Sequence, residues 1–320
     1  MMNKKWIKKI SLFRKQLLLL MYYGRKINFF SDKDKGRIVI CFDGLFSHGG
    51  LVDRLKGIIS FYEIAKSLDY DFYISFTHPF QLSHFLYPNK VNWDIKEKEL
   101  KYNPFNTKVI YLMDNFEANP LQLIKNSTAK TFFVYSNIDY LGTIYTKNTE
   151  SENQQIWHTN YNELFAVSNE LNKEIQKLPH DNRIVFHTRF TSLMGDFKDT
   201  THTVLDENKK QELVNKLIRK MKEVVVLHPT KKVYVLSDSN IFLNFVKQKT
   251  SFSILEGSPK HIGMKNNNAD LESNYKTFTD FYFMAKSDTL YLLKLDKMYN
   301  SGFSKYAAIV GNNKVIVLQE

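Results

Sequence analysis

The sequence has very little cysteine, which limits both disulfide and metal chemistry. Cys41 is the only cysteine among 320 residues, so the chain cannot form an intramolecular disulfide. No Cys/His cluster has the spacing of a zinc site either. Cys41 lies in the apolar run "RIVICF", where a small buried hydrophobic side chain is the ordinary role. A reduced, cytoplasmic location is therefore expected.

Glycine and proline are also scarce, at 12 and 7 residues. Hydrophobic residues make up 43% of the chain and aromatic residues 14%, which excludes disordered and fibrous classes. Because one hydrophobic core rarely organises 320 residues, the length favours two globular domains.

Acidic residues are fewer than basic ones: 33 Asp and Glu against 45 Lys and Arg leave a formal net charge of +12. Such an excess is typical of proteins that bind nucleic acid, a membrane surface or a phosphorylated substrate. The alternative is that a Lys- and Asn-rich chain reflects a biased genome. Outside the N-terminus no predicted helix concentrates basic charge, so nucleic acid is not an expected partner.

The first segment, residues 2–26, carries eight Lys and Arg and no acid. Its longest apolar run is much shorter than the roughly 20 residues of a membrane span, and it has no signal-peptide cleavage site. Its apolar residues recur at helical spacing, at Trp6, Ile7, Ile10, Phe13 and Leu17. The pattern predicts a helix in the interface of an anionic membrane; the alternative is a helix packed on the protein body.

Short β-branched runs alternate with amphipathic segments along the rest of the chain. In the first half we predict strands at 37–42, 71–76, 108–112 and 131–134, and helices at 53–68, from Pro79 ("PFQLSHFL") and over "NYNELFAVSNELNKEIQKL". In the second half we predict strands at 184–190, 232–236 and 253–255 and in "TLYLLKL" and "KVIVLQ", with helices between them. This alternation predicts an α/β protein with parallel sheets covered on both faces.

The polar stretch "YTKNTESENQQ" and the break "PHDNR" mark the domain organisation. We expect a basic amphipathic helix over residues 1–28, a Rossmann-like domain over 29–178 and a second one over 179–320. The two domains should face each other across a cleft, with ligands at the carboxyl ends of the strands.

Four loops lie at such strand ends, and the first is "SHGGLVDRLKG". Gly49 and Gly50 permit close backbone approach, and the amides of the following helix can receive an anion. The alternative for Asp53 is a helix-capping or first-turn role. The alternative for Arg54 and Lys56 is that their side chains are simply solvated.

The second loop is "VFHTRFTSLMGDF". Strand alternation places His187 and Arg189 on one face near the carboxyl end of the strand. The arginine can donate two hydrogen bonds to a phosphate, and the histidine can bond a hydroxyl or phosphate oxygen. The alternative is a surface ion pair between Arg189 and Asp196.

The third and fourth loops are "YVLSDSN" and "YNSGFSKYAAIVG". The carboxylate of Asp238 could accept from a guanine ring or a ribose; alternatively, Asp238 or Ser239 caps the next helix. In the fourth loop Gly302 can adopt a conformation that other residues avoid, and a helix begins near Ser304. With the hydroxyls of Ser301 and Ser304 this forms a phosphate cradle without the lysine or spacing of a Walker loop.

These patches, in this order, resemble the GDP-fucose-dependent fucosyltransferases of the GT-B fold, which include α1,2-, α1,6- and protein O-fucosyltransferases. "GGLVDRLKG", "HTR" with "GDF", "YVLSDS", and "DFYFMAKSD" leading to "SGFSKYAA" carry the resemblance, which spans about residues 38–310. It implies an acceptor domain followed by a nucleotide-sugar-binding domain, and a bacterial, surface-polysaccharide type of enzyme.

The resemblance also implies roles for single residues. Arg189 corresponds to the arginine of a His-x-Arg motif that neutralises the β-phosphate, and His187 to its histidine. Asp238 and Asp280 correspond to acids near the nucleoside, and Ser301, Gly302, Phe303 and Ser304 to a phosphate loop. The loops described above add Gly49, Gly50, Arg54 and Ser239 to the predicted donor-binding residues. The family uses no metal or other cofactor and inverts the anomeric centre. Here the motif is longer, with five residues between Arg189 and Gly195, which bears on the sugar and regiospecificity more than on donor binding.

The predicted function is transfer of a sugar, fucose from GDP-fucose, to a glycan acceptor in surface polysaccharide or lipopolysaccharide assembly. Arg189 would stabilise the departing diphosphate, and Asp53 or His48 would be the general base. The N-terminal helix would hold the enzyme on the inner face of the membrane beside a lipid-linked acceptor. Two alternatives stay open: another nucleotide-sugar donor, and a membrane-docked nucleotide-binding module without turnover.

Overall fold

A computed structural model describes residues 4–29, 35–197, 202–255, 257 and 271–319. The α-helices are α1 (Lys4–Gly24), α2 (Leu51–Ser67), α3 (Pro120–Lys125), α4 (Leu141–Ile144), α5 (Glu150–Leu164), α6 (Asn169–Gln176), α7 (Glu207–Val225), α8 (Asn240–Lys249), α9 (Leu271–Ala285) and α10 (Gly302–Gly311). The strands are β1 (Arg37–Phe42), β2 (Asp71–Phe76), β3 (Leu86–Pro88), β4 (Thr107–Tyr111), β5 (Thr131–Tyr135), β6 (Phe165–Val167), β7 (Arg183–Thr188), β8 (Lys232–Ser237), β9 (Ser253–Ile254), β10 (Thr289–Leu293) and β11 (Val315–Leu318).

The strands form two parallel sheets, one from each half of the chain. The first has the order β2-β1-β5-β4 and the second β11-β10-β7-β8-β9, and the pairs within both sheets are parallel. Every residue of β1 and of β7 is buried, as expected of central strands covered on both faces. The predicted α/β class is confirmed, and the boundary at residues 178–179 stays a prediction.

Helices of the second half pack against helices of the first. α9 and α10 pack on each other, α10 also contacts α2 and α5, and α9 contacts α6. One apolar cluster therefore runs through both halves, from Ile40 and Leu55 to Tyr282 and Ala308. This packing brings the amino end of α10 close to the amino end of α2, and it positions the site described below.

The helix predicted from Pro79 is wrong. The segment contains a 3₁₀ turn at Leu82–His84 and then β3, which pairs antiparallel with β6. Phe85 stacks on Phe278 with 4.4 Å between ring centroids. Contacts with residues distant in sequence therefore override the local helical pattern.

The single helix predicted over "NYNELFAVSNELNKEIQKL" is also wrong, because β6 divides it into α5 and α6. The hydroxyl of Ser168 accepts a hydrogen bond from the Leu171 N–H at 3.1 Å and begins α6. The polar stretch "YTKNTESENQQ" contains the start of α5, because Thr149 and Glu152 form a capping box there. A side chain that caps a new helix competes with continuation of the old one.

Helix α1 packs on the first sheet by one face only. Leu19 and Tyr23 are buried among Val39, Cys41 and Phe133. This face is therefore packed on the protein body, which was the alternative to a membrane-binding helix. On another face Phe13, Leu17, Leu20 and Met21 are 65%, 48%, 51% and 58% exposed. The predicted face also included Trp6 and Ile7, whose side chains lie outside the described set. In the described part of the chain, no helix has both the length and the hydropathy to cross a bilayer.

Two contacts show in which direction α1 runs along β4. Ile27, just after the helix, bridges Tyr102, which precedes β4, whereas the Lys15 ammonium lies 4.9 Å from the ring centre of Tyr111, the last residue of β4. The helix therefore runs antiparallel to β4. At 1.5 Å per residue, its first turns extend roughly 15 Å past the carboxyl end of that strand.

Candidate functional site

A cavity of about 580 Å³ lies at the carboxyl ends of the strands, between the two halves of the chain. One wall contains the start of α2 and residues that follow β4 and β5, and the other contains residues that follow β7 and β8 and the start of α10. A larger groove of about 880 Å³ is lined by Asn182, Lys231, Asp288 and Asn313. Those residues precede their strands, at the edge where open α/β sheets do not bind ligands. The smaller cavity is therefore the candidate site.

The loop between β1 and α2 forms part of the first wall. Gly49 has φ +75°, and a Cβ there would lie 2.8 Å from an oxygen of Asp53, so this position requires glycine. Asp53 Oδ2 accepts from the Gly50 N–H at 3.3 Å, and Oδ1 accepts from Lys56 Nζ at 2.9 Å. Asp53 thus occupies the first turn of α2, as its alternative role predicted, while its side chain also lines the cavity.

His48 and Arg54 brace this loop from behind and do not line the cavity. His48 is 1% exposed; its Nε2 accepts from the Gly44 N–H at 3.1 Å, and burial lowers its pKa. Arg54 is 1% exposed and donates to the carbonyls of Gly49 and His78. The predicted roles, general base for His48 and donor ligand for Arg54, stay predictions that these positions do not support. In a sequence, a polar residue that braces a loop resembles one that binds a ligand.

His187 and Arg189 lie together on the second wall, as strand alternation predicted. His187 is 6% exposed, and its Nδ1 has no hydrogen-bond partner within the described residues. Burial, with the nearby charge of Arg189, lowers the pKa of His187 to about 3, so the ring is neutral at ordinary pH. A buried polar atom without a partner on a cavity wall is a position where a ligand can complete the hydrogen bonding.

The alternative role of Arg189, an ion pair with Asp196, is not found among the described residues. Asp196 accepts from the Ser239 hydroxyl at 3.1 Å and from the Ile241 N–H at 2.8 Å, so it fastens the start of α8. Arg189 Nε instead lies 3.4 Å from Asp238 Oδ2. Because β7 and β8 are neighbours in the sheet, their carboxyl ends meet, and this brings Asp238 next to Arg189.

Asp238 also fixes the turn that follows β7. It is 5% exposed, and its two oxygens accept from the N–H groups of Phe190 and Thr191, each at 2.8 Å. Thr191 is left-handed, with φ +56°. Burial raises the pKa of Asp238, while Arg189 and these amides act in the opposite direction. The carboxylate lines the cavity and orients the arginine next to it.

Ser239 does not reach the cavity. It is the N-cap of α8, its hydroxyl accepts from the Phe242 N–H at 3.1 Å, and it is fully buried. The capping alternative is therefore correct for Ser239. Asp280, on α9, does line the cavity; it pairs with Lys276, and burial raises its pKa.

The fourth loop places a helix amino end on the cavity. Helix α10 begins at Gly302, earlier than predicted, and Ser301, Gly302 and Phe303 line the cavity. Ser304 is fully buried and its hydroxyl donates to the Ser301 carbonyl at 3.3 Å, so it does not face a ligand. The special backbone conformation expected of Gly302 is also absent, since its φ is not among the positive values of the described residues.

The cavity residues that were not predicted as ligands include Lys56, Asp114 and Asn137. Lys56 Nζ lies 3.5 Å from the position that a Cβ on Gly302 would occupy, so this cation reaches the amino end of α10. Asp114 and Asn137 follow the buried strands β4 and β5, a signal that could have identified them. Among the side chains that the structure describes, no group of three or more His, Cys, Asp and Glu could hold a metal ion.

No family model matches the chain, and a search of curated proteins finds no match. Solved structures are similar in fold. An arginine-to-lysine mutant of Arabidopsis thaliana FUT1 in complex with GDP has a TM-score of 0.61 at 12% identity, covering 95% of this chain and 74% of that chain. NodZ α-1,6-fucosyltransferase soaked with GDP-fucose has a TM-score of 0.54 at 14% identity, covering 86% and 93%. NodZ from Bradyrhizobium gives 0.53 at 15% identity, covering 86% and 92%. The predicted GT-B fold, with two Rossmann-like halves, is confirmed.

Proposed function

We propose that the protein is an inverting glycosyltransferase that moves fucose from GDP-fucose to a glycan acceptor. The observation that carries the proposal is the second wall of the cavity, where Arg189, the unpartnered Nδ1 of His187 and the amino end of α10 meet. The solved structures with the same fold include complexes with GDP and GDP-fucose, which favours guanosine nucleotides over others.

In the proposed reaction an acceptor hydroxyl attacks C1 of the sugar while GDP departs from the opposite face. Departure builds negative charge on the diphosphate. The first-turn amides of α10 and the guanidinium of Arg189 already face that region, so they stabilise the transition state more than the ground state. Neutral His187 contributes a directed hydrogen bond without charge.

Nucleotide specificity is the direct test. GDP and GDP-fucose at a hundred times their dissociation constants should stabilise the folded state by about 2.7 kcal/mol, and UDP and CMP should not. Differential scanning fluorimetry measures the resulting shift in Tm. A response to UDP alone would contradict the guanine assignment, and stronger binding of GDP-mannose would favour another donor sugar. Binding of GDP-fucose without hydrolysis or transfer would favour the non-catalytic alternative.

We further propose that turnover needs no metal. The positive charge on the diphosphate would come from Arg189 and the α10 amino end instead of a divalent cation. Donor hydrolysis should therefore proceed at the same rate in EDTA. Loss of activity in EDTA that magnesium or manganese restores would contradict this expectation.

We also propose that α1 docks the enzyme on the inner face of the membrane beside a lipid-linked glycan acceptor, as surface polysaccharide or lipopolysaccharide assembly requires. The exposed stripe of Phe13, Leu17, Leu20 and Met21 supports this role, since an apolar helix face flanked by basic residues binds anionic bilayers.

Introducing acidic residues into the stripe should abolish vesicle binding. The double variant Phe13→Glu/Leu17→Glu should stay in the supernatant when phosphatidylglycerol vesicles are sedimented, while the unaltered protein pellets at low salt and is released at high salt. Deleting the helix is a poorer test, because Leu19 and Tyr23 belong to the core. Leu227→Glu is the matched control, because Leu227 is 73% exposed and lies outside α1. Equal pelleting of all three proteins would leave α1 with a packing role only.

A further inference from the structure

We infer that Asp114 is the general base that takes the proton of the acceptor hydroxyl, an inference that rests on the proposed function. Asp114 is exposed and lines the cavity. It follows β4, on the wall formed by the first half of the chain. Asp53 shares this wall, and the two carboxylates differ in their contacts.

Both side-chain oxygens of Asp53 already have partners within the chain. One of its oxygens accepts from the Gly50 N–H and the other is ion-paired with Lys56 at 2.9 Å. Protonation would break that ion pair and weaken the helix start. Lys56 in turn reaches within 3.5 Å of the Cβ position at Gly302, on the leaving-group side of the cavity. The Asp53–Lys56 pair therefore belongs with the diphosphate.

Asp114 is held at one oxygen only. Asn137 Nδ2 donates to Asp114 Oδ1 at 2.8 Å, and the Asp114 N–H donates to Asn137 Oδ1 at 2.9 Å. Within the described residues, nothing hydrogen-bonds to Asp114 Oδ2. Asn137 is 9% exposed, so this two-point contact comes from a fixed side chain, and it leaves Oδ2 available to accept a proton.

The backbone of Asp114 is also unusual. Its φ is +55°, a left-handed conformation that costs a non-glycine residue free energy and that is found at active sites more often than elsewhere. The contact of Asn137 with both the amide and the carboxylate holds this conformation in place. The arrangement thus fixes the direction of one carboxylate at the cavity.

The two walls match the stereochemistry of inversion. The attacking oxygen and the departing phosphate oxygen must lie on opposite sides of C1. Arg189 and the start of α10 lie on the wall formed by the second half, and Asp114 lies on the other. As the new oxygen–C1 bond forms, the hydroxyl proton passes to Asp114 Oδ2. The electron pair of the breaking C1–O bond leaves with the diphosphate, and Asp114 later returns the proton to solvent.

The test compares water with azide as the nucleophile in GDP-fucose turnover. Water must lose a proton when it attacks C1, whereas azide has none to lose. Asp114→Asn should lower hydrolysis by about 10²- to 10⁴-fold, the usual contribution of a general base, without weakening GDP binding. In sodium azide the same variant should form fucosyl azide at the rate of the unaltered enzyme.

Two variants complete the design. Asp69→Asn is the matched control, because Asp69 is also a left-handed aspartate, with φ +51°, but lies outside the cavity; it should change neither reaction. Asp53→Asn should slow water and azide reactions equally and weaken GDP binding. Normal hydrolysis by Asp114→Asn would overturn the inference, and so would equal loss of both reactions. Failure of the unaltered protein to bind GDP-fucose would instead refute the proposed function.

Discussion

Replacing Arg189 with alanine is expected to lower the turnover of GDP-fucose by a few hundredfold, about 3 to 4 kcal/mol in the activation barrier. Arg189 lines the cavity, and its guanidinium is oriented by Asp238 at 3.4 Å and by Phe197, whose ring centre lies 5.0 Å from Cζ. An oriented cation next to a departing diphosphate gains interaction energy as the charge develops. Its removal therefore acts on the transition state more than on donor binding.

Arg189→Lys should restore little of the lost rate, because an ammonium is a point charge and cannot reproduce a planar, two-donor contact. His187→Ala should have a milder effect, since the neutral ring contributes a hydrogen bond and no charge. The measurements are turnover and Tm on the same samples. A purely structural arginine would lower Tm and leave the rate per folded molecule unchanged.

Arg183 provides a matched control on the same strand. It begins β7 at the opposite edge and donates to the Pro179 carbonyl at 2.6 Å. Arg183→Ala should lower stability without changing turnover at a temperature where the variant is folded. If Arg189→Ala behaves in the same way as Arg183→Ala, the glycosyltransferase interpretation of this motif fails.

The sequence was sufficient to predict the strand framework and the loops at the carboxyl ends of its strands. The apolar runs of β1 and β7 can be recognised from consecutive residues of the sequence. The two-residue repeat of a strand then gives the face on which each residue near its end lies. This reasoning placed His187, Arg189 and Asp238 at one edge of a sheet. It could not show that Asp238 and Arg189 are partners, since the order of strands in a sheet is a tertiary property.

The failures have a common physical cause. β3 and β6 are short strands that stabilise each other across a long stretch of chain, and neither has a strong local pattern. Side-chain direction in loops is equally non-local. His48 and Arg54 are bracing residues because their buried side chains bond backbone groups of nearby loops, whereas Asp114 lines the cavity and is held by Asn137.

The Asp238→Ala substitution is expected to lower the free energy of unfolding by about 3 kcal/mol and to slow turnover. It would remove the carboxylate that accepts from the N–H groups of Phe190 and Thr191 and that pairs with Arg189. Asp238→Asn should cost less, because its amide oxygen can still accept one of the two bonds. Urea unfolding measures the first effect, and donor hydrolysis on folded protein measures the second.

The two residues should act on the rate as a unit. If Asp238 accelerates the reaction only by orienting Arg189, the double variant Asp238→Ala/Arg189→Ala should turn over no more slowly than Arg189→Ala alone, a non-additivity typical of side chains in direct contact. Asp196→Ala is the control: it removes the bonds that Asp196 makes to Ser239 and Ile241, so it should lower stability and leave the rate unchanged. Additive rate losses would mean that Asp238 acts on the donor independently of Arg189, and unchanged turnover in Asp238→Ala would mean that the arginine keeps its orientation without it.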